Sequence, residues 1–157
     1  MFIYLYQTKI LIKMPFIGFN FDKISAEREV DEVKGNINVK HSFNIKDVRE
    51  EKVNLDKKQD VLKFTFEFSL NYEPGLGSIK IEGHLLYIDE QKKMNEMVKG
   101  WKKEKKISPE IIQGLFNTII ARSNIKALQL EQDLNLPPHL PMPKLTREKK
   151  SVREYIG

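Results

Sequence analysis

A chain of 157 residues suffices for one domain with a real core and is too short for two comfortable ones. Hydrophobic residues make up 40% and charged residues 31%, a globular balance. The 27 Lys and Arg against 22 Asp and Glu leave a net charge of +5, compatible with an anionic partner without demanding one. The absence of cysteine excludes disulfides, thiolate metal sites and cysteine nucleophiles, and it fits a reducing, cytoplasmic compartment.

The opening residues, MFIYLYQTKILIKM, are apolar but interrupted by Gln7, Thr8, Lys9 and Lys13. That pattern is neither a secretory signal nor long enough to span a bilayer. Residues 1–14 are therefore set aside as an N-terminal extension or a mis-assigned start. From Pro15 the apolar period is two: Ile17, Phe19 and Phe21 alternate with polar or small residues as a first strand. The charged stretch SAEREVDEVKG, Ser25 to Gly35, reads as a crossing loop. A second strand, NINVKHSFNIKDV, places Ile37, Val39, Phe43 and Ile45 on one face with His41 in register.

The third strand has the strictest alternation. In LKFTFEFSLNY, Leu62, Phe64, Phe66, Phe68, Leu70 and Tyr72 point one way and Lys63, Thr65, Glu67, Ser69 and Asn71 the other. EPGLGS, Glu73 to Ser78, is a Pro-Gly hairpin turn into SIKIEGHLLYI. It lacks the lysine of a phosphate-binding loop and opens no helix. At Asp89 the period becomes 3.6: Met94, Met97, Val98 and Trp101 form one stripe of a short helix. SPE then restarts a helix, with Ser108 as N-cap and Pro109 in the first turn. Its apolar face is Ile112, Leu115, Phe116, Ile119 and Ile120, continued by Ala127 and Leu130, and its course ends before Pro137–Pro138. Strands followed by helices predict an α+β fold, a four-stranded antiparallel sheet with a short and a long helix packed on one face.

Catalytic signatures are missing: there is no G-x-S-x-G, H-E-x-x-H or G-x-x-x-x-G-K-[ST]. His41, His84 and Glu82 have no metal-site spacing, so histidines packed in or beside the sheet are the expectation, with no metal or other cofactor. The phenylalanine row of the third strand could stack single-stranded nucleic acid, but strict alternation of this kind is the mark of a core. A pair of helices covers only part of the apolar sheet face. The remainder points to self-association or to a groove for apolar ligands.

Three stretches carry a likeness to a known family: FNFDKISAERE; VLKFTFEFSLNY with its hairpin to SIKIEGHLLYI; and NTIIARSNIKALQLEQDLNLPPHLPMPKL. In order and in the leucine-proline exit of the long helix, residues 16–145 resemble the SecB family of export chaperones. The resemblance implies domain limits of 15–145 with a basic tail at 146–157, a homotetramer built as a dimer of dimers, and no enzymatic activity. It implies an ATP-independent holdase for non-native polypeptides, serving export or the protection of antitoxins. Carried over by position, the peptide-binding groove would use Phe21, Ile24, Val30, Val33, Ile37, Val39, Ile112, Leu115, Phe116 and Ile119. The leucine-proline segment would be an ordered strap, pinned by Leu134, Leu136, Leu140 and Met142. The chain departs from the family in charge: SecB proteins are acidic, whereas this tail, KLTREKKSVREYIG, is basic. Docking of a SecA-type motor is therefore not carried over. The alternative function is a basic α+β nucleic-acid-binding module, with nucleic acid otherwise not expected as a partner. A third, weaker option is a scaffold with a ligand cavity between sheet and helices.

Overall fold

The computed structural model describes residues 16–143, so the expectations for residues 1–14 and for the tail at 146–157 lie outside the described residues. Four strands are followed by two helices: β1 (Phe16–Arg28), β2 (Asn38–Asn54), β3 (Lys58–Glu73), β4 (Gly77–Tyr87), α1 (Gln91–Glu104) and α2 (Pro109–Leu134). The strands form one antiparallel sheet in the order β1-β4-β3-β2, the expected α+β architecture. Because β1 and β2 occupy opposite edges, the segment between them does cross the sheet. That crossing is shorter than predicted. Ser25 to Arg28 continue β1, paired with Lys80 to Gly77, and the loop is confined to residues 29–37.

Period-two alternation produces the core directly. Leu62, Phe64, Phe66, Phe68, Leu70 and Tyr72 are all buried, facing inward with Ile79, Ile81, Leu85 and Tyr87 of β4. Gly83 sits in this row because a Cβ there would lie 2.3 Å from the Asn20 carbonyl oxygen and 2.7 Å from the Phe66 ring. Its absence lets β1 approach and the ring lie over the backbone. Leu76 of the hairpin turn is also buried, its amide donating to the Tyr72 carbonyl at 2.9 Å while Gly75 takes φ 66°. Central strands β3 and β4 pair without interruption. The outer strands do not: β1 shifts register at Phe16/Gly18 and Phe21/Lys23, and β2 shifts at Ile45/Asp47.

The other sheet face carries ion pairs. Glu67 receives both Lys46 at 3.3 Å and Lys80 at 3.2 Å. Partial burial pulls its carboxyl upward, and the bonds and charges of the two lysines together overcome this and hold it below the usual carboxylate range. His84 lies on this face with Asp22 at 2.7 Å, whereas His41 faces inward opposite Leu70, so the two cannot share a ligand. Among the described residues no cluster of three His, Asp or Glu side chains could hold a metal, and no helix is long and apolar enough to cross a membrane.

Helix α1 buries Met94 and Trp101 and ends at Lys105, in the left-handed conformation with φ 54°. Its entry is tied to the sheet by the Tyr87 hydroxyl, which donates to Asp89 at 2.5 Å. That bond is the main reason the Asp89 carboxyl is lowered, with partial burial opposing it. A folded-state value below the unfolded one contributes stability at neutral pH that is lost as pH falls through the lowered value. In denaturant titrations, Asp89→Asn is expected to start less stable than wild type at neutral pH and to lose less between about pH 5 and pH 3. Parallel pH profiles for the two proteins would contradict this.

Candidate functional site: two apolar troughs and a buried latch beside the long helix

Helix α2 turns a straight ridge onto the sheet: Leu115, Ile119, Ser123, Ala127 and Glu131, each four residues from the last, are all buried. Ser108 occupies the N-cap position, but its hydroxyl makes no capping bond; the first turn is closed by its carbonyl, which accepts from Ile111 and Ile112. At the far end Asn135 takes φ 58°, and the Arg28 guanidinium donates to the carbonyls of Leu134 and Asn135. A cation is thereby placed on the negative end of the helix.

After Asn135 the chain folds back as the predicted strap. Leu136 is buried, Leu134 and Leu140 are half-buried, and Met142 is exposed; of these Leu136 belongs to the core and Leu134 packs against it, so those two are the pins. The strap's anchor is a residue the apolar pattern did not mark. His139 is buried, its Nδ1 bonding Glu131 Oε1 at 2.7 Å and its backbone amide donating to the same oxygen at 3.0 Å. Its Nε2 meets the Asn124 side-chain oxygen at 2.9 Å, and its ring lies 5.5 Å from that of His41. The Tyr72 hydroxyl also donates to Glu131 Oε1. Burial, and then the adjoining Glu131 carboxylate, push the Tyr72 phenol far above its ordinary value. Glu131 Oε2 and the Ser123 hydroxyl are buried without partners.

The ten residues expected to line one groove fall into four places. Leu115 and Ile119 are core residues, 1% and 0% exposed, and offer no surface. The reason is the ridge: in a helix lying flat on the sheet, the positions facing the strands recur every four residues. Val30, Val33 and Ile37 lie on the crossing loop and Val39 opens β2 opposite Tyr72, together at the hairpin end of the sheet. Phe21 is half-buried and Ile24 exposed on β1. Ile112 and Phe116, 43% and 44% exposed, stand on the β2 side of α2, where the Phe116 ring meets Phe43 edge-on at 5.2 Å. His41 stands between Val39 and Phe43 on the inner face with the His139 ring tilted against it at 53°, so the strap separates the loop group from Phe116.

Two open troughs result. On the β2 side a volume of about 520 Å³ is lined by Phe43, Ile45, Trp101, Ile107 and Ile112 with Lys46 and Lys105. On the β1 side a volume of about 290 Å³ is lined by Phe21, Ile125 and Gln129 with Arg122 and Lys126. Phe43, Ile45 and Trp101 were legible as inward-facing from the sequence, but not as trough walls. Ile125 lies off the apolar stripe and no periodicity signals it. The Lys105 ammonium lies 4.9 Å from the centroid of the Trp101 ring, and the Arg122 guanidinium 4.8 Å from that of Phe19. The arrangement offers apolar walls with cations at the lip and nothing that resembles a nucleophile aligned with a base. Comparisons of the chain with family models, with curated proteins and with solved structures found no match.

Proposed function

We propose that this protein is a SecB-like holdase: an ATP-independent chaperone that binds non-native polypeptides along the apolar surface flanking α2. It would work without a cofactor, in the cytoplasm, as a homotetramer, and its clients would be export substrates or antitoxins. The observation that carries the reading is the set of large apolar side chains left open around the troughs, with Ile24, Ile112, Phe116 and Ile125 between 38% and 61% exposed. Monomeric proteins rarely leave such surface in contiguous patches without a use. An extended client covering them gains about 25 cal/mol per Å² of apolar area without needing a defined sequence. Several such surfaces on one oligomer would add avidity for a long chain. The rival nucleic-acid module loses its stacking platform, because Phe64, Phe66 and Phe68 are interior, 0–2% exposed.

The test is light scattering of a chemically denatured client diluted into buffer without ATP. The wild-type chain at several-fold excess is expected to suppress aggregation. Phe116→Asp is expected to lose most of that protection while losing only about 1 kcal/mol of its own stability, since its ring is half in solvent and its main partner is Phe43. Wild-type protein that leaves aggregation unchanged would overturn the proposal.

A further inference from the structure

We infer that the troughs beside α2 select apolar segments flanked by acidic residues. This rests on the holdase reading and names the class of client. The evidence is the sign of the charge at each lip. The β2-side trough has Lys46 and Lys105 in its lining and no carboxylate. The β1-side trough, on the opposite flank of the helix, has Arg122 and Lys126 and again no carboxylate. The chain's +5 does not dictate this, because the larger cleft between α1 and the start of α2, about 740 Å³, mixes Asp89, Glu96 and Glu110 with Lys93, Lys105 and Lys106.

The cations are also placed rather than incidental. Lys105 is the left-handed cap of α1, its amide donating to the Trp101 carbonyl at 2.9 Å and its ammonium over the Trp101 ring. Arg122 lies over Phe19. In each case a charge is kept beside an aromatic ring, Trp101 within its trough and Phe19 next to the other, instead of sweeping through solvent. Lys46 is the extra residue of the β2 bulge; its ammonium pairs with Glu67, and Lys80 is shared between Glu67 and Glu82, so the charge at this lip is chiefly that of Lys105. A segment whose leucines and phenylalanines fill a trough therefore brings its neighbouring side chains to a cationic lip. Aspartate and glutamate gain there, and lysine and arginine are repelled.

Trp101 is the sole tryptophan, so its fluorescence reports the β2-side trough directly. Three tryptophan-free peptides with one Leu/Phe core and glutamate, glutamine or lysine flanks are titrated into the full chain, with anisotropy of a labelled peptide as second readout. The glutamate-flanked peptide is expected to bind about tenfold more tightly than the glutamine-flanked one at low salt, narrowing to about twofold at half-molar salt. Lys105→Glu with Arg122→Glu, both surface changes whose folding is checked by thermal unfolding, is expected to reverse the order in favour of lysine flanks. Equal affinity for all three peptides, or a preference for lysine flanks in the wild type, overturns the acidic selectivity and leaves the holdase reading standing. No binding of any peptide, together with no suppression of aggregation, overturns both. An oligonucleotide of matched charge that binds more tightly than the glutamate peptide overturns the inference in favour of nucleic acid.

Discussion

Leu115→Asp is expected to unfold the protein, whereas Phe116→Asp, one residue away, leaves it folded. Leu115 is 1% exposed on the helix ridge that faces the sheet, and Phe116 is 44% exposed. Truncating a buried leucine costs about 3–5 kcal/mol through lost burial and the cavity left behind. An aspartate adds an unpaired carboxylate with no cation to meet it, worth several kcal/mol more. The sum reaches the whole stability of an ordinary domain, about 5–15 kcal/mol. Circular dichroism and one-dimensional NMR should show a collapsed or unfolded Leu115→Asp chain, and native-like spectra for Phe116→Asp. A folded Leu115→Asp protein would mean that the helix does not seat on the sheet through this ridge. The pair also separates two kinds of lost activity: a failed Leu115 variant says nothing about client contact, and a failed Phe116 variant does.

Glu131→Ala should be the most damaging change at any polar position described. One carboxylate oxygen accepts from the Tyr72 hydroxyl, the His139 amide and the His139 ring, joining β3, α2 and the strap in a place 2% exposed. Removing it strands three donors in the interior, and breaking a buried network of this kind costs about 3–5 kcal/mol. With about 2–4 °C of melting temperature per kcal/mol for a chain of this size, the midpoint should fall by roughly 10 °C. Limited proteolysis should cut after residue 134 sooner than in wild type, because the strap loses its main anchor. Glu131→Gln, which keeps the volume and one acceptor, should recover part of the loss. A melting temperature unchanged in Glu131→Ala would show that the strap is held by Leu134 and Leu136 alone.

The sheet was legible in the sequence wherever one face is buried and the other wet. Leu62 to Tyr72 and Ile79 to Tyr87 alternate because β3 and β4 are flanked by strands on both sides and covered on one face. Edge strands obey a weaker rule. Ser25 to Arg28 read as loop and Arg49 to Asn54 fell beyond the predicted second strand, because much of each outer strand is solvated and polar, although both stretches are paired. The strap was legible as a strap from its leucines and prolines. Its latch was not, because no apolar pattern marks Glu131 or His139, and Glu131 is placed inside only when the four-residue spacing from Leu115 is carried through to position 131. Polarity hid a position that periodicity assigns to the interior. The troughs were the least legible feature. They arise where α1, α2 and the edge strands fail to meet: only that geometry brings Trp101 beside Phe43 in one trough and Ile125 beside Phe21 in the other.

The register shift of β2 at Ile45/Asp47 bears on how a protein with the proposed function would avoid pairing with its clients. On the proposed holdase reading, the chain would offer sticky, extended client segments an outer strand 17 residues long. An unbroken ladder of that length would be a template on which client strands could stack and copies could polymerise. The extra residue at Lys46 breaks the ladder's rhythm, and Lys40, Arg49 and Lys52 line the same strand with charge. Under the proposed function, capture would thereby be steered to reversible side-chain contact beside the helix and away from backbone pairing at the rim, which ends in fibres.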